Sequence, residues 1–362
     1  MRFTEFRQIL TEAKVGREYN HLEDLVFIDG SAGAQKAADI LDKLGSDAGD
    51  VAIKWDGNPT IYWGREDDGQ FVLVGKNGWG RNKSTSPEDL SNFILNTGKG
   101  EEWRKEFSAD MAEIFQIMEA ATPSDFRGFV YGDLLYTPRK PFASSNGEVK
   151  FTPNKVTYTV KSNSQLGKRI ENSKVGVVVH TKYNEFGGSS GTPIKDVQEL
   201  NSNDAVVLGQ TYVSHQPKVD TRAVGNVRQD AKQYGKIIDD FLETRPGLSD
   251  MKNIIYTYVN HMTRTQQLKN IDSGFFDWLA TSKVSNNKQA KIKAMAEESP
   301  KAIPAIFKLV KDIMTAKDQI IDQLDDADAD VKANTKGEKG GEGYVALGSK
   351  TKLVPRTRWQ PN

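Results

Sequence analysis

The chain has 362 residues and balances 49 basic against 49 acidic side chains, so no global field draws it to a polyanion and any such attraction must be local. It has no cysteine, which excludes disulfides, thiolate metal sites and cysteine nucleophiles. Its 16 Phe, 11 Tyr and 6 Trp can fill a substantial core in about two domains, and no apolar stretch approaches the ~20 residues that cross a bilayer, so no membrane partner is expected.

The first residues, MRFTEFRQILTEA, have no apolar h-region and are not a secretory signal. Phe3, Phe6, Ile9 and Leu10 fall near one helical face, as in a short amphipathic helix docked on the domain. The next helix is predicted over Ser31 to Leu44, with Ser31 as N-cap. GSAGA (30–34) at its start could hold an anion through backbone amides, or be a tight turn into the helix. Two strands follow, VAIKW and TIYWG; the Asp-Asp-Gly at 67–69 reads as a hairpin turn into a third, FVLVGK. Residues 87–121 are predicted helical, RGFVYGDLLYT (127–137) a strand pair or bent strand, and VKFTPNKVTYTV (149–160) a hairpin or edge. KVGVVVHTKY (174–183) is a nearly continuous apolar strand and so is expected to be central. From about 226 to 330 the pattern gives four or five helices. Residues 325–341 read as a polar linker, and strand character returns in GEGYVAL and KTKLVPR.

Lys54 stands where the neighbours Val51 to Ile53 favour burial. A buried ammonium loses hydration, which favours the neutral, nucleophilic amine. Asp56-Gly57 can turn the chain just beyond it and leave the amine at a pocket mouth; the alternative is the exposed face of a half-buried strand.

Five short motifs occur in order: KWDG at 54–57, YGDL at 131–134, VGVVVHT at 175–181, EGYV at 342–345 and KTK at 350–352. This order resembles the covalent nucleotidyltransferase superfamily of DNA ligases, RNA ligases and capping guanylyltransferases. Stretches such as DGSAGA, KWDGNP, FTPNKVTY and VVVHTKY also resemble ligase-like internal proteins of large tailed phages. The resemblance implies an α+β fold of the ligase type, with ATP-grasp-like antiparallel sheets. It implies that Lys54 attacks the α-phosphate of ATP and holds AMP as a phosphoramidate. Lys350 and Lys352, alternating on a strand, would contact that phosphate, with Asp56 and Gly57 shaping the nucleotide site. Glu342 would bind Mg2+, and Asp133 would hold the ribose hydroxyl or assist the metal. Lys76, and Arg81 beyond it, could reach phosphates or a nucleic acid end, or be solvated. His180 could face the nucleotide or be a hydrogen-bonded core histidine. Trp55 or Tyr183 could stack on a base or simply pack.

The chain departs from that pattern in three places. Asp133 stands where the family carries Glu, and Pro59 where DNA ligases often place Arg. Only ten residues follow Lys352, which leaves no room for an OB domain. The expected organisation is a nucleotidyltransferase body over 20–195, a helical insertion over 220–330, and C-terminal strands over 340–358 completing the body. The N-terminal segment resembles capsid-targeting peptides, and Leu10-Thr11-Glu12 before Ala13 resembles a prohead-protease site that would release residues 1–12.

The expected function is therefore an ATP- and Mg2+-dependent nucleotidyltransferase, RNA ligase-like, acting on nucleic acid ends. If the leader is real it is packaged in a virion and delivered to the host cytoplasm, and otherwise it is cytoplasmic. The alternatives are an inactive internal virion protein with a structural or DNA-binding role, and an AMP transferase with a protein acceptor. Lysines 283, 288, 291, 293 and 301 form a basic stretch that the acidic residues of 321–330 offset, as on a solvated surface.

Overall fold

The computed structural model describes residues 19–358 apart from 48, 98–101, 195 and 328, so the predicted leader lies outside the described residues. The first elements are β1 (Asn20–His21), α1 (Leu25–Ser46), β2 (Val51–Ile53), β3 (Thr60–Arg65) and β4 (Phe71–Gly75). Next come α2 (Pro87–Asn96), α3 (Trp103–Ala121), β5 (Gly128–Tyr136), β6 (Ala143–Ser145), β7 (Glu148–Phe151) and β8 (Val156–Lys161). They are followed by α4 (Gln165–Glu171), β9 (Val175–Tyr183), β10 (Thr192–Pro193) and β11 (Ala205–Leu208). A helical run, α5 (Thr221–Leu242), α6 (Met251–Arg264), α7 (Phe275–Thr281), α8 (Asn286–Glu298) and α9 (Ala302–Asp326), leads to β12 (Val331–Thr335), β13 (Glu338–Lys339), β14 (Tyr344–Ala346) and β15 (Thr351–Leu353). The fold is mixed α+β, as the alternation of periods in the sequence requires.

The chain divides into two compact units, and the division differs from the one expected. One unit gathers the described residues of Met1–Ala52, Tyr212–Ala327 and Gly343–Asn362; the other gathers those of Ile53–Thr211 and Asp328–Glu342. The helices over 220–330 are thus not an insertion standing apart: α1 and the C-terminal strands belong with them.

In the first unit α1 packs against α5 and α9. Its apolar residues Ala34, Ala37, Ala38 and Leu41 recur at helical spacing and are fully buried. The helix begins earlier than predicted, at Leu25, and breaks at Gly30, whose φ is +62. A Cβ there would lie 2.1 Å from Asp239 Oδ1. Beyond the break, the amide and hydroxyl of Ser31 each donate to the Asp239 carboxylate at 2.7 Å. The anion at GSAGA is therefore a side chain of α5, and the helix start is satisfied from a distant element rather than by a local cap.

A four-stranded sheet in the order β1-β15-β14-β2 completes this unit, with β1 parallel to β15 and β14 antiparallel to it. Just ahead of α1, Glu23 and Asp24 are buried with their partners. Lys317 donates to both oxygens of Glu23 at 2.9 and 2.8 Å, and Arg356 donates to both oxygens of Asp24 at 2.5 and 3.0 Å. Burial works to raise the Glu23 carboxyl, but the charges of Lys317 and Arg356 outweigh it and hold the group below its usual range. For Asp24, burial wins over the Arg356 charge and pushes the carboxyl up to about 6. Arg358 pairs with Asp322 and Asp325, and the Thr357 hydroxyl donates to Asp318. The acidic tail of α9, expected only to offset the basic stretch over 283–301, thus fastens the C-terminal segment.

The second unit contains two sheets. The larger runs β10-β9-β5-β3-β4, with β11 parallel to β9, and β9 is interior as expected. Residues 128–136 form one strand, not a pair. The smaller sheet is antiparallel in the order β13-β12-β8-β7-β6. Its β12 and β13 occupy the expected linker. Val331 and Ala333 alternate onto the core, while the polar residues between them face away, which is why the local composition looks like a loop.

Helices α2 and α3 cover one face of the larger sheet, where Ile61, Trp63, Leu73 and Val130 pack on Met111, Ile114 and Phe115. On the other face Val178, Val206 and Leu208 share a core with Tyr158 and Val160 of the smaller sheet. Farther along that face, Val72, Val74 and Phe129 carry half-buried aromatic rings.

Candidate active site

The candidate site lies in the second unit, in the loop that joins β2 to β3. Lys54 is the first residue beyond β2 rather than a strand position. Its side chain is neither fully buried nor free in solvent: it is 25% exposed, and its ammonium meets the Glu342 carboxylate at 2.5 Å. Two motifs from distant parts of the sequence are thereby in direct contact.

The rest of the loop is anchored residue by residue. Trp55 is 5% exposed and packs 4.5 Å from the Tyr158 ring, with its indole N–H donating to Thr211 Oγ1 at 3.1 Å. It is a core residue, so of the two readings for Trp55 packing is the one that holds. The Asp56 amide donates to the Tyr158 hydroxyl at 2.6 Å. The Asp56 carboxylate accepts from Asn154 Nδ2 at 2.9 Å and from the backbone amides of Lys155 and Val156 at 3.0 and 3.3 Å. The carboxylate expected to shape a nucleotide site thus grips the turn between β7 and β8.

Gly57 lies against β5: a Cβ there would sit 2.5 Å from Asp133 Cβ. Asn58 then donates to the Leu134 carbonyl at 2.8 Å, and Leu134 returns a bond to the Pro59 carbonyl at 3.0 Å. KWDG and YGDL are thus stitched together, with Gly57 needed for the close approach.

Asp133 is 16% exposed, and both of its oxygens are engaged. Thr60 Oγ1 donates to Oδ1 at 2.6 Å, and His180 Nε2 lies 3.0 Å from Oδ2. These bonds follow from register, since Thr60 pairs with Asp133 and β9 borders β5 on the other side. His180 is hydrogen-bonded as the more conservative expectation held, but one third of its side chain remains exposed, so it is not a core residue.

Beside it the rings of Tyr131, Tyr62 and Trp79 stack in series, with centroids 5.1 and 4.3 Å apart. Tyr183 closes on Trp79 at 5.2 Å. Burial, reinforced by the Tyr183 and Asp133 charges, pushes the Tyr62 hydroxyl up to about 12, so it stays protonated at neutral pH.

The remaining predicted residues fall elsewhere. Lys76 follows β4 and Arg81 lies in the next turn; both are exposed. Lys350 and Lys352 belong to the first unit. They do not alternate along one strand: Lys350 precedes β15 in a turn with φ +51, and only Lys352 is in the strand. A helical-sense φ of that sign breaks the two-residue periodicity on which the shared face depended.

Thr60 and Tyr62 lie outside the quoted motifs, and Tyr131, Asn154 and Tyr158, though inside YGDL and FTPNKVTY, were given no role. A signal for Tyr62 was present: it alternates with Ile61 and Trp63, both buried under α2 and α3, so it must face the opposite side.

Among the described residues, no group of three or more His, Asp or Glu side chains is placed to hold a metal ion. Among them also, no helix is long and apolar enough to cross a membrane. Comparison with curated proteins and with solved structures returns no match. A family of unknown function, DUF6267, matches residues 18–360, and the chain belongs to that family.

Proposed function

We propose that the chain is a nucleotidyltransferase that carries a nucleotide on Lys54 and passes it to an acceptor, on a fold of the ligase type. The observation that supports this best is the 2.5 Å contact between Lys54 and Glu342, in a loop bonded to the Asp133 strand. A nucleophilic lysine, a carboxylate at its side and an apolar sheet behind it are what the reaction needs in one place. The Lys54 ammonium first gives up a proton to solvent; the free amine attacks the α-phosphorus of a nucleoside triphosphate, an N–P bond forms, pyrophosphate leaves with the electron pair of the broken P–O bond, and the nitrogen sheds its second proton to solvent. Attack by an acceptor oxygen then forms a new P–O bond as the N–P bond breaks, and the nitrogen takes up a proton from solvent to regenerate the amine.

The residues present suit magnesium. No all-protein cage exists among the described residues, and Glu342 is a single carboxylate with 37% of its side chain exposed. That donor set fits an ion that keeps most of its waters and binds phosphates. When bound, magnesium would neutralise charge building on the polyphosphate. Glu342 then has two duties: it neutralises Lys54 in the resting protein, and it holds the ion when substrate is present. Asp56, Gly57 and Trp55 keep the loop still, so that the amine meets the phosphorus without reorganisation. The favoured acceptor is a nucleic acid end, RNA foremost, as the family resemblance implies.

Incubation with α-labelled ATP and Mg2+ tests the reading. A covalent label on the wild-type chain that is lost in Lys54→Ala is expected, and it should move to an RNA 5′-phosphate. Movement to a protein instead would correct the acceptor. No label with any of the four nucleoside triphosphates would refute the activity.

A further inference from the structure

His180 sits at an irregularity in the larger sheet. β5 and β9 pair antiparallel, with Tyr131 opposite Thr181, but the next residue of β5, Gly132, stands opposite Val179. His180 is thus an extra residue, a bulge in β9. Regular pairing would set it opposite Gly132, on the face that Val130 and Leu134 turn toward α2 and α3. The bulge instead brings its ring to Asp133 on the other face, with Nε2 3.0 Å from Oδ2. Bulges that re-aim one side chain in this way are over-represented beside active sites.

The pairing leaves one ring nitrogen for chemistry. A carboxylate only accepts, so Nε2 carries the proton of the neutral ring and Nδ1 its lone pair. Among the described residues Nδ1 has no hydrogen-bond partner, and it is not sealed from solvent, since 32% of the side chain is exposed. The carboxylate is held in turn, because its other oxygen accepts from Thr60 Oγ1 at 2.6 Å. An imidazole oriented by a fixed carboxylate, with its second nitrogen open, is the arrangement that takes a proton from a hydroxyl. Asp133 is also the wall on which the KWDG loop lies: a Cβ added at Gly57 would sit 2.5 Å from Asp133 Cβ. A phosphate oxygen is already ionised at neutral pH and attacks without a base, so the pair suits a hydroxyl nucleophile. We propose that His180 is the general base for a strand-joining step, in which a 3′-hydroxyl attacks an adenylylated 5′-phosphate, and that Asp133 is its positioning residue. The hydroxyl proton passes to Nδ1, a new P–O bond forms at the 5′-phosphorus, the P–O bond to AMP breaks, and AMP leaves with that electron pair. This assignment rests on the nucleotidyltransferase reading above, with a nucleic acid acceptor, and adds a step that does not pass through Lys54.

The test is single-turnover joining of a pre-adenylylated RNA 5′-end to an RNA 3′-hydroxyl, with Mg2+ and no ATP. His180→Ala is expected to lower the rate at saturating strands about 100-fold, and added imidazole should restore part of it. A wild-type rate in His180→Ala, or a loss that imidazole does not relieve, overturns the assignment. The 15N spectrum of the wild-type ring decides the same point should the variant fail to fold: a proton on Nε2 and a bare Nδ1 are expected, and a proton on Nδ1 alone overturns it. Asp133→Ala should slow joining and mix the two tautomers; slower joining with the tautomer unchanged overturns the positioning role. A wild-type chain that takes label on Lys54 but does not join pre-adenylylated ends overturns this assignment alone. Absence of both label and joining overturns the activity, and this assignment with it.

Discussion

Gly57→Ala is the sharpest perturbation of the proposed site, because the glycine is required by distance rather than by dihedral angle. An added Cβ would lie 2.5 Å from Asp133 Cβ, 3.0 Å from the Leu134 carbonyl oxygen and 3.1 Å from the Asp133 carbonyl carbon. Ordinary contact begins at 3.4 Å, so loop and strand must part by about 1 Å, and two of the three obstructing atoms are backbone. The loop cannot yield at Asn58 without stretching its 2.8 Å bond to Leu134, so the displacement passes toward Lys54. Overpacking of this size costs about 1–3 kcal/mol of stability. An error of about 1 Å at a nucleophile costs about 100-fold in rate, or about 2.7 kcal/mol of barrier. The assay is the single-turnover rate of label transfer from α-labelled ATP, with a urea titration in parallel. A Gly57→Ala chain that labels at the wild-type rate would refute the claim that packing against Asp133 sets the position of Lys54.

Three further outcomes are expected. Lys317→Met should destabilise the first unit by about 3 kcal/mol in urea denaturation, because it leaves Glu23 buried with only Arg356, at 3.2 Å, to compensate; adding Glu23→Leu should recover most of the loss. Asp24, with its carboxyl raised to about 6, contributes stability that is fully present below its unfolded value near 3.8 and is lost as pH rises through 6. The wild-type midpoint should therefore fall more steeply between pH 5 and pH 7 than that of Asp24→Asn, and an identical slope in the two proteins would contradict it. Asp239→Ala removes both hydrogen bonds that Ser31 donates at the break in α1 and should cost about 1–2 kcal/mol, visible as faster amide exchange at residues 31–34.

Local rules found what local forces determine. The β3–β4 hairpin was legible because Asp68 and Gly69, the latter at φ +88, make a turn that few other residues tolerate. β9 was legible because an interior strand must be apolar on both faces. The juxtaposition of KWDG and YGDL could be suspected from motif order, but the atoms that join them are backbone groups, which carry no sequence signal. β12 was invisible because its register is set by β8, distant in sequence, and half of its residues face outward. The early start of α1 was hidden by Gly30, a residue type that often ends helices and here only breaks one beside Asp239. Asp56 looked like a ligand-facing carboxylate because its real partners come from a turn about a hundred residues away.

Glu342 is the final residue of its unit, and β12 and β13 immediately precede it. During synthesis Lys54 and the whole larger sheet leave the ribosome long before their counter-ion exists, while chains tend to fold domain by domain from the N-terminus. Until residues 331–342 are made, the nascent unit has the β8 edge of its smaller sheet without β12, and Lys54 without this carboxylate. Emergence of residues 331–342 supplies both, so a chain stopped short of residue 342 would lack the pair however well its earlier strands had formed.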